Sequence, residues 1–183
     1  MRPWESIGKD FVGPIPEVDG FNYLWVIICR MSSMVLLVPV NMTTTASQLS
    51  VIYIREVVQL HGLPSSIVSD RDPKFTSKWW CELHRLLGTK LLMSMSFHPQ
   101  TDGATERANR SIGQMFRSLI KPDQKDWVHR CPMIKFAINL SVGDATKLAP
   151  FEINCGYMPT MMREVKASER IPPGIRTFVQ NAL

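Results

Sequence analysis

Three of the sixteen acids in this 183-residue chain stand out: Asp10, Asp70 and Glu106. Asp10 lies inside ESIGKDFV, a run that alternates around Ile7 and Phe11 as a strand does. Aspartate is disfavoured in strands, so it needs a reason there; the plain one is an exposed face of an edge strand. Asp70 ends SSIVSD, which reads as a short strand. A turn or helix cap would explain it, although Asp72, directly before Pro73, suits that role better. Glu106 follows the polar stretch HPQTDGAT and opens a helical pattern. There the helix dipole stabilises a carboxylate by about 0.3–1 kcal/mol whatever else it does. The spacing Asp-x35-Glu between Asp70 and Glu106 is a weak signal by itself.

Three carboxylates drawn from two strands and a helix start would bind hard divalent ions through oxygen. Two Mg²⁺ ions about 3.5–4 Å apart can clamp the attacking and leaving oxygens of an in-line phosphoryl displacement. Softer ligands do not gather in this sequence. Cys29, Cys81, Cys131 and Cys155 form no C-x-x-C pair, and the four histidines are scattered, so no zinc finger is predicted within these residues. No P-loop or glycine-rich phosphate cradle occurs, which argues against a nucleotide cofactor.

The helix that follows Glu106 separates into two faces. At about 100° per residue, Glu106, Arg110, Gln114, Arg117 and Lys121 fall in one stripe. Ala108, Ile112, Met115 and Leu119 form the opposite one. A solvated face has this pattern. So does a face that holds a cation at its head and follows phosphates below it.

These residues need a scaffold, and the pattern predicts one. Strands are expected at 5–12, 21–30 and 34–40, the last two as a hairpin, with Pro39 placing its strand at an edge or end. From Thr44 the period becomes helical. Leu49, Ile52, Tyr53, Val57 and Leu60 make one stripe, which ends at His61-Gly62 with Pro64 beyond. The strand ending at Asp70 follows, then a helix over 75–87, a strand TKLLMS, the helix over 103–121, another over 125–140, and a short segment APFEINCG. The order is α/β with a mixed sheet: an antiparallel opening, then strand–helix–strand crossovers. Ligand sites in such sheets gather at the carboxyl ends of strands.

Composition is consistent with one domain of about 160 residues and a tail. Apolar residues make up 45%, which argues against disorder. The net charge of +5 fits a partner such as nucleic acid or an anionic membrane, and equally a slightly basic soluble protein. The scattered cysteines suit reduced intracellular thiols better than a disulfide framework. The most apolar run, YLWVIIC, is far too short to span a membrane, and no signal-peptide pattern follows Met1.

Four blocks occur in order: PWESIGKDFVGPIP, GLPSSIVSDRDPKFTS, SFHPQTDGATERANR and KLAPFEINCGYMP. Together they resemble the integrase catalytic core of gypsy-type LTR retrotransposons, kin to the retroviral integrases, over about residues 3–160. The resemblance implies an RNase H-like fold, a five-stranded mixed sheet flanked by helices. It makes residues 1–160 the core domain and 161–183 a C-terminal tail or linker, with Pro172-Pro173 in the tail. It carries the family's metal-binding acids onto Asp10, Asp70 and Glu106, with two Mg²⁺ or Mn²⁺ ions in the active form. His98–Gly103 matches the family's flexible active-site loop, and Asn109 and Arg110 match polar positions after the catalytic Glu. With the basic stripe, the expected DNA contacts are His98, Gln100, Arg107, Asn109, Arg110, Gln114, Arg117 and Lys121.

The activity implied is DNA integration: 3′-end processing of element DNA, then strand transfer into target DNA. The implied partners are element-end DNA, target DNA and a second copy of the chain in a homodimer or higher oligomer. Membrane and nucleotide cofactor are not expected. The implied location is the nucleus, preceded by a cytoplasmic particle. The family's zinc-binding His/Cys module and a C-terminal DNA-binding domain are missing from these residues, so the chain is expected to be a core cut from a longer polyprotein. Two other readings remain: a domesticated, catalytically silent domain that binds nucleic acid or protein, and an RNase H-type nuclease. Gly113, inside the Glu106 helix at a cost of about 1 kcal/mol relative to Ala, either permits close approach of DNA or another helix or is merely tolerated. The Trp79-Trp80 pair and the 125–140 helix are candidate pairing surfaces, against the plainer reading that at least one Trp is core.

Overall fold

A computed structural model describes residues 2–93, 110, 112–114, 116–143 and 146–159. The sheet has five strands: β1 (Ser6–Val12), β2 (Tyr23–Cys29), β3 (Val35–Val40), β4 (Ser66–Ser69) and β5 (Lys90–Met93). Their order is β3-β2-β1-β4-β5. The first three are antiparallel, with Ile7 opposite Cys29 and Trp25 opposite Val38. β4 joins β1 in parallel, with Ile7 beside Ile67 and Lys9 beside Ser69, and β5 joins β4 in parallel. β1 is therefore central, not an edge strand, and the plain explanation for Asp10 falls. Pro39 does lie on an edge strand, where its missing N–H costs no ladder bond.

β2 reads YLWVIIC because both of its faces are covered. Trp25, Ile27 and Cys29 pack with Ile7 and Ile67 against Leu49, Tyr53, Val57, Phe75 and Trp80. Leu24, Val26 and Ile28 pack on the other side against Ile112, Trp127, Cys131, Ile134 and Ile138. The result is three layers, helix on sheet on helix.

The first helical layer starts where the sequence places it. Thr45 caps α1 (Ala46–Tyr53): its side chain accepts from the Gln48 N–H, and the Gln48 side chain returns a bond to the Thr45 N–H. A wider π-helical turn, Ile54–Val58, runs into the last turn α2 (Gln59–His61). That turn shifts the phase of the stripe. Leu49, Tyr53 and Val57 are buried, but Leu60 is 64% exposed, against expectation.

The segment expected as one helix over 75–87 is two, α3 (Pro73–Thr76) and α4 (Lys78–Leu86). Asp72 caps α3 by accepting from Lys74 N, with Pro73 at the first helical position, as expected. Ser77 is extended and caps α4 by accepting from Trp80 N, which breaks the run. Trp80 is core, while Trp79 is 56% exposed and donates to Ser50 Oγ at 3.1 Å.

On the opposite layer, helical residues 112–114 and 116–119 form α5, followed by α6 (Trp127–Leu140) and α7 (Pro150–Cys155). Ile112 is buried, but Leu119 is 37% exposed at the helix end, so the apolar stripe frays there. Asn139 closes the free edge of β3. Its Oδ1 accepts from Val35 N at 2.8 Å and its Nδ2 donates to Val35 O at 3.0 Å. All four cysteines are free thiols. Among the described residues no helix is long and apolar enough to cross a membrane.

Candidate active site

The β1–β4 ladder runs Ser6–Ser66, Ile7–Ile67, Gly8–Val68, Lys9–Ser69. The next residues along the chain are Asp10, still within β1, and Asp70, the first residue past the end of β4. Both acids therefore lie at the carboxyl end of the parallel ladder, where ligand sites of such sheets gather. Asp10 is half-buried and Asp70 exposed. Asp10 Oδ1 accepts from Phe11 N at 2.8 Å, and Asp70 Oδ1 accepts from Asp72 N at 3.2 Å. Each carboxylate is thus oriented by its own local backbone.

Glu106 lies outside the described residues, as do His98, Gln100, Arg107 and Asn109. The lower part of the basic stripe is described. Arg110, Gln114, Arg117 and Lys121 are all exposed, while Ile112 and Phe116 of α5 pack onto the sheet. Among the described residues, a Cβ at Gly113 would meet only the Arg117 guanidinium, at an ordinary 3.6 Å.

The donor chemistry of Asp10 and Asp70 is that of a hard divalent ion site, since both offer only carboxylate oxygen. Among the described residues no group of three or more His, Cys, Asp and Glu side chains could hold an ion.

Sequence reasoning missed Lys9. Its side chain is 2% exposed, and its Nζ lies 3.6 Å from the ring centres of both Phe75 and Trp80. Among the described residues Nζ has no hydrogen-bond partner. Burial pushes its ammonium well below the usual lysine range, and Asp70, Cys81 and Asp72 pull the other way. The available signal was alternation: Lys9 shares the face of Ile7 and Phe11. His84 stands on the same side, 4.5 Å from the Trp80 ring and 5.1 Å from Tyr53. Burial, and then Lys9, push its imidazole down to about 4.

A five-stranded mixed sheet in the order β3-β2-β1-β4-β5, with its central strand antiparallel to one neighbour and parallel to the other and helices on both faces, is the RNase H-like fold. The catalytic core domain of BIV integrase has this fold: TM-score 0.61 at 18% identity, covering 82% of this chain and 93% of that one. So does the HTLV-2 integrase catalytic core solved in complex with magnesium in a trimeric form, at TM-score 0.64 and 18% identity, covering 84% and 98%. No family model matches the chain. In sequence it is 34% identical over 160 residues to the transposon Tf2-3 polyprotein of Schizosaccharomyces pombe, a match that takes in 87% of the chain. The chain belongs to the integrase catalytic cores of LTR retrotransposons. It spans 12% of the length of that polyprotein.

Proposed function

We propose that this domain integrates element DNA by two metal-dependent phosphoryl transfers at one site, 3′-end processing and strand transfer. The observation that supports the reading is the parallel register ending at Lys9–Ser69, with Asp10 and Asp70 the next residue of each segment. In this reading Asp10 and Asp70 would hold one Mg²⁺ or Mn²⁺, and Glu106 with one of them would hold a second. Bound there, the ions would neutralise charge on the attacking and leaving oxygens of an in-line displacement. The protein's own part is positional. The paired strands fix two carboxylates, their backbone N–H contacts orient them, and the exposed stripe Arg110, Gln114, Arg117, Lys121 follows the phosphates of bound DNA.

In the first step water breaks a phosphodiester near the DNA 3′ end and leaves a 3′-OH. In the second that hydroxyl attacks a target phosphodiester and displaces the target 3′ oxygen. One phosphodiester replaces another, so strand transfer needs no ATP. His98, Gln100, Arg107 and Asn109 are proposed to complete the DNA contacts, and residues 161–183 to lead out of the core. We further propose a homo-oligomer acting in the nucleus after a cytoplasmic particle stage. Support for assembly comes from the HTLV-2 core, solved in both dimeric and trimeric forms. Exposed Trp79, Val51 and Leu86 on the α1 and α4 side offer a surface for it.

The test is joining and its reversal on branched DNA with Mg²⁺ or Mn²⁺. Wild type should react, while Asp10→Asn, Asp70→Asn and Glu106→Gln, each folded, should not. Wild type and Glu106→Gln behaving alike would refute the catalytic reading and leave a silent binding domain. Cleavage of an RNA–DNA hybrid in place of joining would mark an RNase H.

A further inference from the structure

The β1–β4 ladder stops at Lys9–Ser69, one residue short of the two acids. Beyond that point a different device ties their segments together. Phe75, fully buried, follows Asp70 by five residues and sits at the centre of it. The Phe11 ring stacks on Phe75 at 4.9 Å and 9°. The Lys9 Nζ lies 3.6 Å from the Phe75 centre, within cation–π range. Lys9 and Phe11 are the residues on either side of Asp10, so both neighbours of one carboxylate grip the same ring.

That ring reaches the other carboxylate by a short, hydrogen-bonded path. Phe75 N donates to Asp72 O at 2.9 Å, Lys74 N donates to Asp72 Oδ1 at 2.8 Å, and Asp72 N donates to Asp70 Oδ1 at 3.2 Å. Asp72 and Pro73 make this stretch a capped turn with little freedom. A shift of Phe75 would therefore carry the Asp70 turn with it.

We propose that Phe75, held by Phe11 and Lys9, is a positioning residue that sets the placement of Asp70 against Asp10, and with it the affinity of the site for a divalent ion. This rests on the metal-dependent reading above.

Mn²⁺ binding, followed by electron paramagnetic resonance on the folded protein without DNA, tests it. Phe75→Leu should weaken binding about tenfold, the lower end of what losing an outer support costs a metal site. Phe11→Leu should weaken it in the same direction, and the double variant should be no weaker than Phe75→Leu alone, because both act through one stack. Ile134→Val, buried in the opposite layer, controls for general loosening and should bind as wild type does. Excess metal should restore joining to Phe75→Leu and not to Asp10→Asn. Folded Phe75→Leu binding Mn²⁺ as wild type does would overturn the proposal, as would equal weakening by Ile134→Val. Failure of wild type to bind Mn²⁺, or binding unchanged by Asp10→Asn, would instead overturn the metal reading itself.

Discussion

Acid should weaken this fold through one imidazole. His84 is fully buried against Trp80 and Tyr53, and among the described residues neither ring nitrogen has a hydrogen-bond partner. Its pKa falls from 6.5 to about 4, by burial first and the Lys9 charge second. The unfolded chain therefore takes up a proton at His84 before the folded one does. Stability is fully present above pH 6.5 and is lost as pH falls from there through about 4. Each pKa unit between the two states is worth about 1.4 kcal/mol, so the loss reaches at most about 3.5 kcal/mol. Urea unfolding of wild type and His84→Leu, stepped from neutral pH down to about pH 4, reads the difference directly. His61, also lowered by burial, contributes in the same direction in both proteins and cancels in the comparison. Lys9→Met removes the second cause and should shrink the acid loss. Equal pH slopes in wild type and His84→Leu, or an NMR titration of His84 at an ordinary histidine pKa, would refute the reasoning.

Lys9→Met should also make the protein more stable at neutral pH. The gap should close as pH rises toward the unfolded lysine pKa, because the depressed folded value means wild type gains stability over that window; denaturant midpoints across the alkaline range check it. Asn139→Ala strands both the N–H and the C=O of Val35 inside the protein and should cost about 2–4 kcal/mol in urea melts. Arg117→Ala and Lys121→Ala should weaken DNA binding alike on all sequences. Each should reduce the slope of log K against log salt by about 1, measured by fluorescence anisotropy over a salt series.

Much of the scaffold was legible because local chemistry and tertiary packing agree. Thr45 and Asp72 mark helix starts by side chains that need nothing distant, Gly62 marks a helix end by its positive φ, and β2 declares its burial by being apolar throughout. Asp10 stood out for the opposite reason, as an acid in a strand pattern that local structure did not explain, whereas Asp70 does what a turn acid does and accepts from Asp72 N. What escaped depends on partners far along the chain. Lys9 looks like a solvated lysine until Phe75 and Trp80, more than sixty residues on, close over it. Asn139 looks like a helix-end polar residue until it meets the β3 edge 104 residues earlier. The π-helical turn at Ile54–Val58 carries no residue signature, so the exposure of Leu60 could not be read from a regular helical period.

On the proposed reading Asp10 and Asp70 form half of a divalent metal site, which Glu106 completes. A crystal soaked in Mn²⁺ tests it by anomalous scattering. A peak is expected between the Asp10 and Asp70 carboxylates, and it should be lost in Asp10→Asn. An ion bound elsewhere, or a peak that survives Asp10→Asn unchanged, would contradict it.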